Sequence, residues 1–163
     1  VRLDEEKAEQ CIDALNSDLA ATYVLYHQLR KHHWNVEGAE YGQLHDFFGD
    51  AAEDAEEDAD EMAERVVALG GVPVSGPAAL EDHAPVDFEG QDVYDARASL
   101  ENDLGMYGEI IESVRNHVML LENLGDYATG EILRERLEDM EEDADEIRAF
   151  LADDTLVLES AIK

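Results

Sequence analysis

A chain of 163 residues with 45% hydrophobic side chains holds enough apolar material for one compact domain and is too apolar for global disorder. The formal charge of −31, from 42 Asp and Glu against 11 Lys and Arg, creates a strongly negative field, and the only lysines, Lys7, Lys31 and Lys163, are far apart. That balance argues against binding duplex DNA, whose phosphates need a basic patch, and suits a protein adapted to concentrated salt, where counter-ions screen self-repulsion.

Helical periodicity dominates from the start. Helix A is expected over about residues 4–36, with Leu15, Leu19, Tyr26 and Leu29 at helical spacing and Gly38 as a stop. Helix B follows over about 40–69 and ends in Gly70-Gly71-Val72-Pro73, the glycine-then-proline sequence expected past a helix C-terminus. A crossover over about 70–91 carries all three prolines, and Pro77 opens a short helix through Asp82. Helix C is expected over about 92–124, capped by Asp92; a Gly125-Asp126 turn leads into helix D over about 126–152. Short A–B and C–D links joined by one long crossover describe an all-α four-helix bundle in a single domain. No apolar run of about 18 residues exists to cross a membrane, the N-terminal residues lack a signal-peptide pattern, and Cys11 is a lone cysteine. A cytoplasmic location is the expectation.

The chemistry must be sought among carboxylates and six histidines. No histidine has a glutamate three residues before it, so the Glu-x-x-His pairs that hold two irons inside many helical bundles are missing. On a helical projection of about 100° per residue, His45, Gly49, Glu53, Glu56, Asp60 and Glu64 form one stripe. The stripe flanks the apolar face of Leu44, Phe48, Ala55, Met62 and Val66 instead of facing the core, so its side chains look toward solvent or toward another subunit. Two readings stand side by side: a solvated acidic face, or a ligand set looking sideways. His33 falls on the apolar row of helix A, which fits a core histidine as well as an iron ligand; mixed imidazole and carboxylate donors with open positions are what ferrous iron takes.

The run HHWNVEGAEYGQLHDFF, with DADEMAERVVALGGVP further on, resembles the Dps family of miniferritins, and most closely its members from halophilic archaea. The likeness joins the HWN tripeptide, a second histidine twelve residues after His33, the Asp60/Glu64 pair and the terminal LGG, and it extends over nearly the whole chain. It implies a ferritin-like subunit of a hollow homo-dodecamer in which His33 and His45 of one subunit, with Asp60 and Glu64 of its two-fold mate, bind ferrous iron. The implied reaction is ferroxidation with hydrogen peroxide as preferred oxidant, with ferric mineral stored in the shell and oxidative stress suppressed. The family's acidic residue four positions after the second histidine is Gly49 here, and Glu37 and Glu53 are candidate replacements for a second iron. Glu53 and Glu56 are candidate nucleation residues, Asp126 and Glu131 candidate pore residues, and Trp34 is either packing or an electron donor. The lysine-rich tail of DNA-binding members is not at the start of this sequence.

Overall fold

The computed structural model describes residues 1–152. Five helices occur there and no strand: α1 Glu5–Asn35, α2 Tyr41–Ala68, α3 Pro77–His83, α4 Ala96–Asn123 and α5 Tyr127–Leu151. The long four form the bundle and α3 sits in the crossover, as the periodicity and the proline positions lead one to expect. Among the described residues no helix is long and apolar enough to cross a membrane.

Several of the helix boundaries have a visible local cause. Asp4 caps α1 by accepting from the Glu6 amide at 3.0 Å, and Glu5 and Glu6 place negative charge against the positive end of the helix. Helix α5 starts at the Asp126 cap, whose side chain accepts from the Thr129 amide at 3.2 Å. After α2, Gly71 runs so close to α1 that a Cβ there would lie 2.8 Å from the Ile12 side chain, which would have to move aside for any other residue.

The core is a continuous apolar body between the helices. Leu15, Leu19, Leu29, Phe48, Met62, Tyr107, Ile110, Leu121 and Leu133 are all essentially fully buried within it. Burying a side chain of this size is worth roughly 1.5–3 kcal/mol, so this set supplies much of the driving force for packing four long acidic helices together.

The crossover is held by polar clamps. Asn16 on α1 donates to the Val72 carbonyl at 3.2 Å and accepts from the Val74 amide at 3.0 Å. Further along, the buried Lys31 ammonium reaches the Glu89 carboxylate and the Gly90 carbonyl, both at 2.7 Å, and also bonds the Asp92 carbonyl. Those bonds keep residues 89–92 in the crossover. The expectation that Asp92 caps the third long helix is therefore corrected: Asp95 is the cap, accepting from the Ala98 amide at 2.7 Å, and α4 starts at Ala96. Asp95→Ala is expected to cost about 1 kcal/mol in a denaturant-unfolding experiment, the usual worth of an N-cap, while Asp92→Ala leaves the midpoint nearly unchanged.

Candidate metal centre

Helix α1 ends and α2 begins so that His33 and His45, twelve residues apart, meet across the hairpin. Their rings stack with centroids 3.8 Å apart and an interplanar angle of 19°. His33 Nδ1 lies 2.6 Å from the His45 carbonyl oxygen, and His45 Nδ1 lies 2.8 Å from the His33 carbonyl oxygen. A carbonyl only accepts, so each Nδ1 carries the proton and donates. The reciprocal pair fixes both tautomers and leaves Nε2 on each ring as the nitrogen able to offer a lone pair, the arrangement that orients histidine ligands in metal sites. Tyr41 also stacks on His45, with ring centroids 5.1 Å apart.

The carboxylate half of the expected set lies elsewhere on the chain. Asp60 is 15 residues after His45 on the same helix, a rise of about 22 Å, so one chain cannot bring His45 and Asp60 to one ion. Asp60 and Glu64 are exposed on the outer face of α2, in the stripe expected from periodicity. Asp60 joins Tyr23, Glu53, Glu56, Glu57 and Glu61 around an acidic cleft of about 430 Å³. The Tyr23 hydroxyl is pushed above its ordinary pKa there, first by burial and then by the charges of Glu56 and Asp60.

The remaining candidates fall in varied places. Glu37 is exposed in the turn between α1 and α2. Asp126 is 6% exposed and occupied within its own chain: besides capping α5 it takes a hydrogen bond from the Thr129 hydroxyl and faces Arg65 at 3.4 Å. Glu131 is exposed and pairs loosely with Arg134 at 3.7 Å. Trp34 is 70% exposed and lines a groove with His27, Leu80, Phe88 and Val93, so within this chain it is not the packed residue that was one of its two expected roles.

Sequence reasoning missed the polar centre of the bundle. The core histidine of α1 is His32, which is 3% exposed, and not the half-buried His33. Its Nδ1 lies 2.6 Å from Asp103 and its Nε2 2.7 Å from Glu89, and Gln28 donates to Asp103 at 2.9 Å. These three ligand-type residues are the one trio among the described residues whose donor atoms come close enough for a metal ion. Burial works against a charged His32 ring, but Asp103 and Glu89 outweigh it and hold the imidazole above its ordinary pKa. With both ring nitrogens turned to carboxylates, the three groups form a hydrogen-bonded network that shares protons, and a metal would have to displace them. A second pair, His117 with Asp18 at 2.7 Å, is joined by the Ser113 hydroxyl at 2.9 Å. Heptad position gives the only sequence signal for His32, which lies seven residues after the buried Leu25.

Residues 12–157 match the ferritin-like domain family. The chain is 60% identical, over its whole length and 90% of the relative's, to the DNA protection during starvation protein of Halobacterium salinarum. It is 38% identical over 96% of its length, and 89% of the relative's, to a nutrient stress-induced DNA-binding protein of Synechococcus. Among solved structures it resembles an archaeal Dps homologue from Halobacterium salinarum with a TM-score of 0.94 and 61% identity, over 98% of this chain and 89% of that one. The Dps protein of Vibrio cholerae, described as a member of a broad superfamily of ferritin-like diiron-carboxylate proteins, superposes with a TM-score of 0.87 at 26% identity, over 92% of this chain and 94% of that one. With its four long helices, short crossover helix and paired histidines, the chain belongs to the Dps family of ferritin-like proteins.

Proposed function

We propose that this protein stores and detoxifies iron by oxidising Fe(II), preferably with hydrogen peroxide, at sites shared between subunits of a hollow homo-dodecamer that holds the ferric mineral. The observation that carries this reading is the His33–His45 clasp, which keeps both Nε2 atoms free to bind, together with the distance along α2 that puts Asp60 and Glu64 out of reach in one chain. A neighbouring copy supplies the carboxylates, so a complete donor set holds nitrogen from one chain and hard oxygen from the other, as ferrous iron accepts and ferric iron favours. Iron is the substrate here. The role of the protein is to orient donors and bring iron and oxidant together; each peroxide accepts two electrons, one from each of two ferrous ions. Glu53 and Glu56, beside Asp60, offer the next carboxylates along the path from the site to the mineral.

The reading has a direct kinetic test. His45→Ala combined with Asp60→Ala is expected to slow peroxide-driven Fe(II) oxidation at least tenfold, the order of effect of losing metal ligands or their supports. Unchanged kinetics in that double variant would sink the assignment. Sharing between subunits has its own signature: shells assembled from a mixture of H45A chains and D60A chains should recover activity, because half of the sites at each mixed interface retain every ligand. DNA stands as the second reading, since the names of relatives include DNA protection and DNA binding. The charge of −31 argues against it, and a gel shift in low and high salt is expected to show no retained duplex.

A further inference from the structure

The middle of an α-helix is a poor place for glycine, which favours helix less than alanine does, yet Gly49 sits buried in α2, one turn after His45. The reason is visible in what surrounds it. A Cβ on Gly49 would lie 2.9 Å from both Nδ1 and Cε1 of His33, closer than a methyl or methylene carbon packs against a ring. The ring has no inexpensive way to retreat. Its Nδ1 donates to the His45 carbonyl at 2.6 Å, and its face is stacked on His45 at 3.8 Å, so moving away from position 49 breaks a short hydrogen bond and a ring stack together.

We propose that Gly49 is a positioning residue for metal binding: its bare backbone is the seat on which the His33 imidazole rests with Nδ1 satisfied and Nε2 available. This rests on the ligand role of His33 given above. Gly49 touches no metal itself. It acts through the ring, much as a hydrogen-bonded outer partner orients a ligand, except that here the outer partner is the absence of a side chain. In this chain the His33 ring occupies the space that a Cβ at position 49 would need, so a side chain there has to shift the ring from the place it holds.

Co(II), which is not consumed by oxidation and reports its ligand set by visible absorption, is the probe. The assembled protein would be titrated as wild type, Gly49→Ala, His33→Ala and the double variant. Gly49→Ala is expected to weaken Co(II) binding by roughly tenfold or more, the scale of losing an orienting partner. In the His33→Ala background the same substitution should have no further effect, a non-additivity that a merely structural role would not produce. A crystal structure of Gly49→Ala should show the His33 ring displaced from His45. Because alanine favours helix, circular dichroism should show the variant folded. The proposal is overturned if Gly49→Ala titrates as wild type, or if it weakens binding equally with and without His33. If His33→Ala itself binds Co(II) as wild type does, the ligand assignment falls and the proposal with it. If Co(II) behaves as expected while the wild-type protein fails to oxidise Fe(II), the role of Gly49 stands and the oxidase reading alone fails.

Discussion

His32→Ala is expected to lower the free energy of unfolding by about 3–5 kcal/mol, the range found when one member of a buried ion pair is removed and its partners are left uncompensated. Asp103 is fully buried and Glu89 nearly so, and His32 touches both, at 2.6 and 2.7 Å. Without the ring, Gln28, Lys31 and Asn102 remain as donors to two carboxylates that sit close together in the core. The consequence spreads, because Glu89 belongs to the crossover, His32 to α1 and Asp103 to α4. Guanidinium unfolding followed by circular dichroism measures the loss, and a drop below about 1 kcal/mol, the worth of one ordinary hydrogen bond, would contradict this account. Replacing Asp103 together with His32 by leucines should recover part of the stability, since an apolar pair removes the unpaired charge as well as the partner.

The second large effect is on pH. Asp58 is pushed up to about 8 by burial, with Asp139, Asp54 and Asp143 adding to the rise and Arg136 opposing it. Asp143 is pushed up to about 7, again by burial first and then by Asp54 and Glu146. His117 is raised by its hydrogen bond to Asp18 against an opposing effect of burial, and His32 is raised as described. All four groups have folded pKa values above their unfolded ones, so the folded chain binds more protons and stability falls as pH rises. The two aspartates lose their contribution between the ordinary carboxylate range and about 7–8, and the two histidines lose theirs above pH 6.5. Each proton held only by the folded state contributes about 1.4 kcal/mol per pH unit, and allowing for solvent around Asp143 the protein should be about 1–3 kcal/mol less stable at pH 8 than at pH 6. Melting curves at one fixed salt concentration decide the sign; equal or greater stability at pH 8 would mean that these carboxylates are ionised in the fold.

The bundle was legible because it rests on repetition. Apolar residues recurring at helical spacing, and glycine stops between them, mark four helices whatever their partners are. Boundaries set by distant contacts were less so: Asp92 and Asp95 are equivalent as caps to a local rule, and only Lys31 on α1, by holding residues 89–92, decides between them. The site divides in the same way. The stripe through Asp60 and Glu64 follows from a period of 3.6 residues, but the exchange of hydrogen bonds between His33 and His45 depends on how two helices meet across a turn. The buried trio was hidden for a further reason. His32, Glu89 and Asp103 come from three separate segments, and in so acidic a chain two more carboxylates carry no signal until the fold collects them.

The clasp also fixes something usually left free. A turn between antiparallel helices is where chain length ordinarily drifts, because little depends on it. Here the five residues from Val36 to Glu40 span two histidines that each bond the other's carbonyl. Deleting a residue shortens the reach of the turn by about 3.4 Å, more than two short hydrogen bonds can take up, whereas an added residue can bulge outward with both bonds kept. A length series through this turn should therefore be one-sided, with deletions breaking the clasp and insertions tolerated: the reach of two imidazoles sets the shortest workable connection.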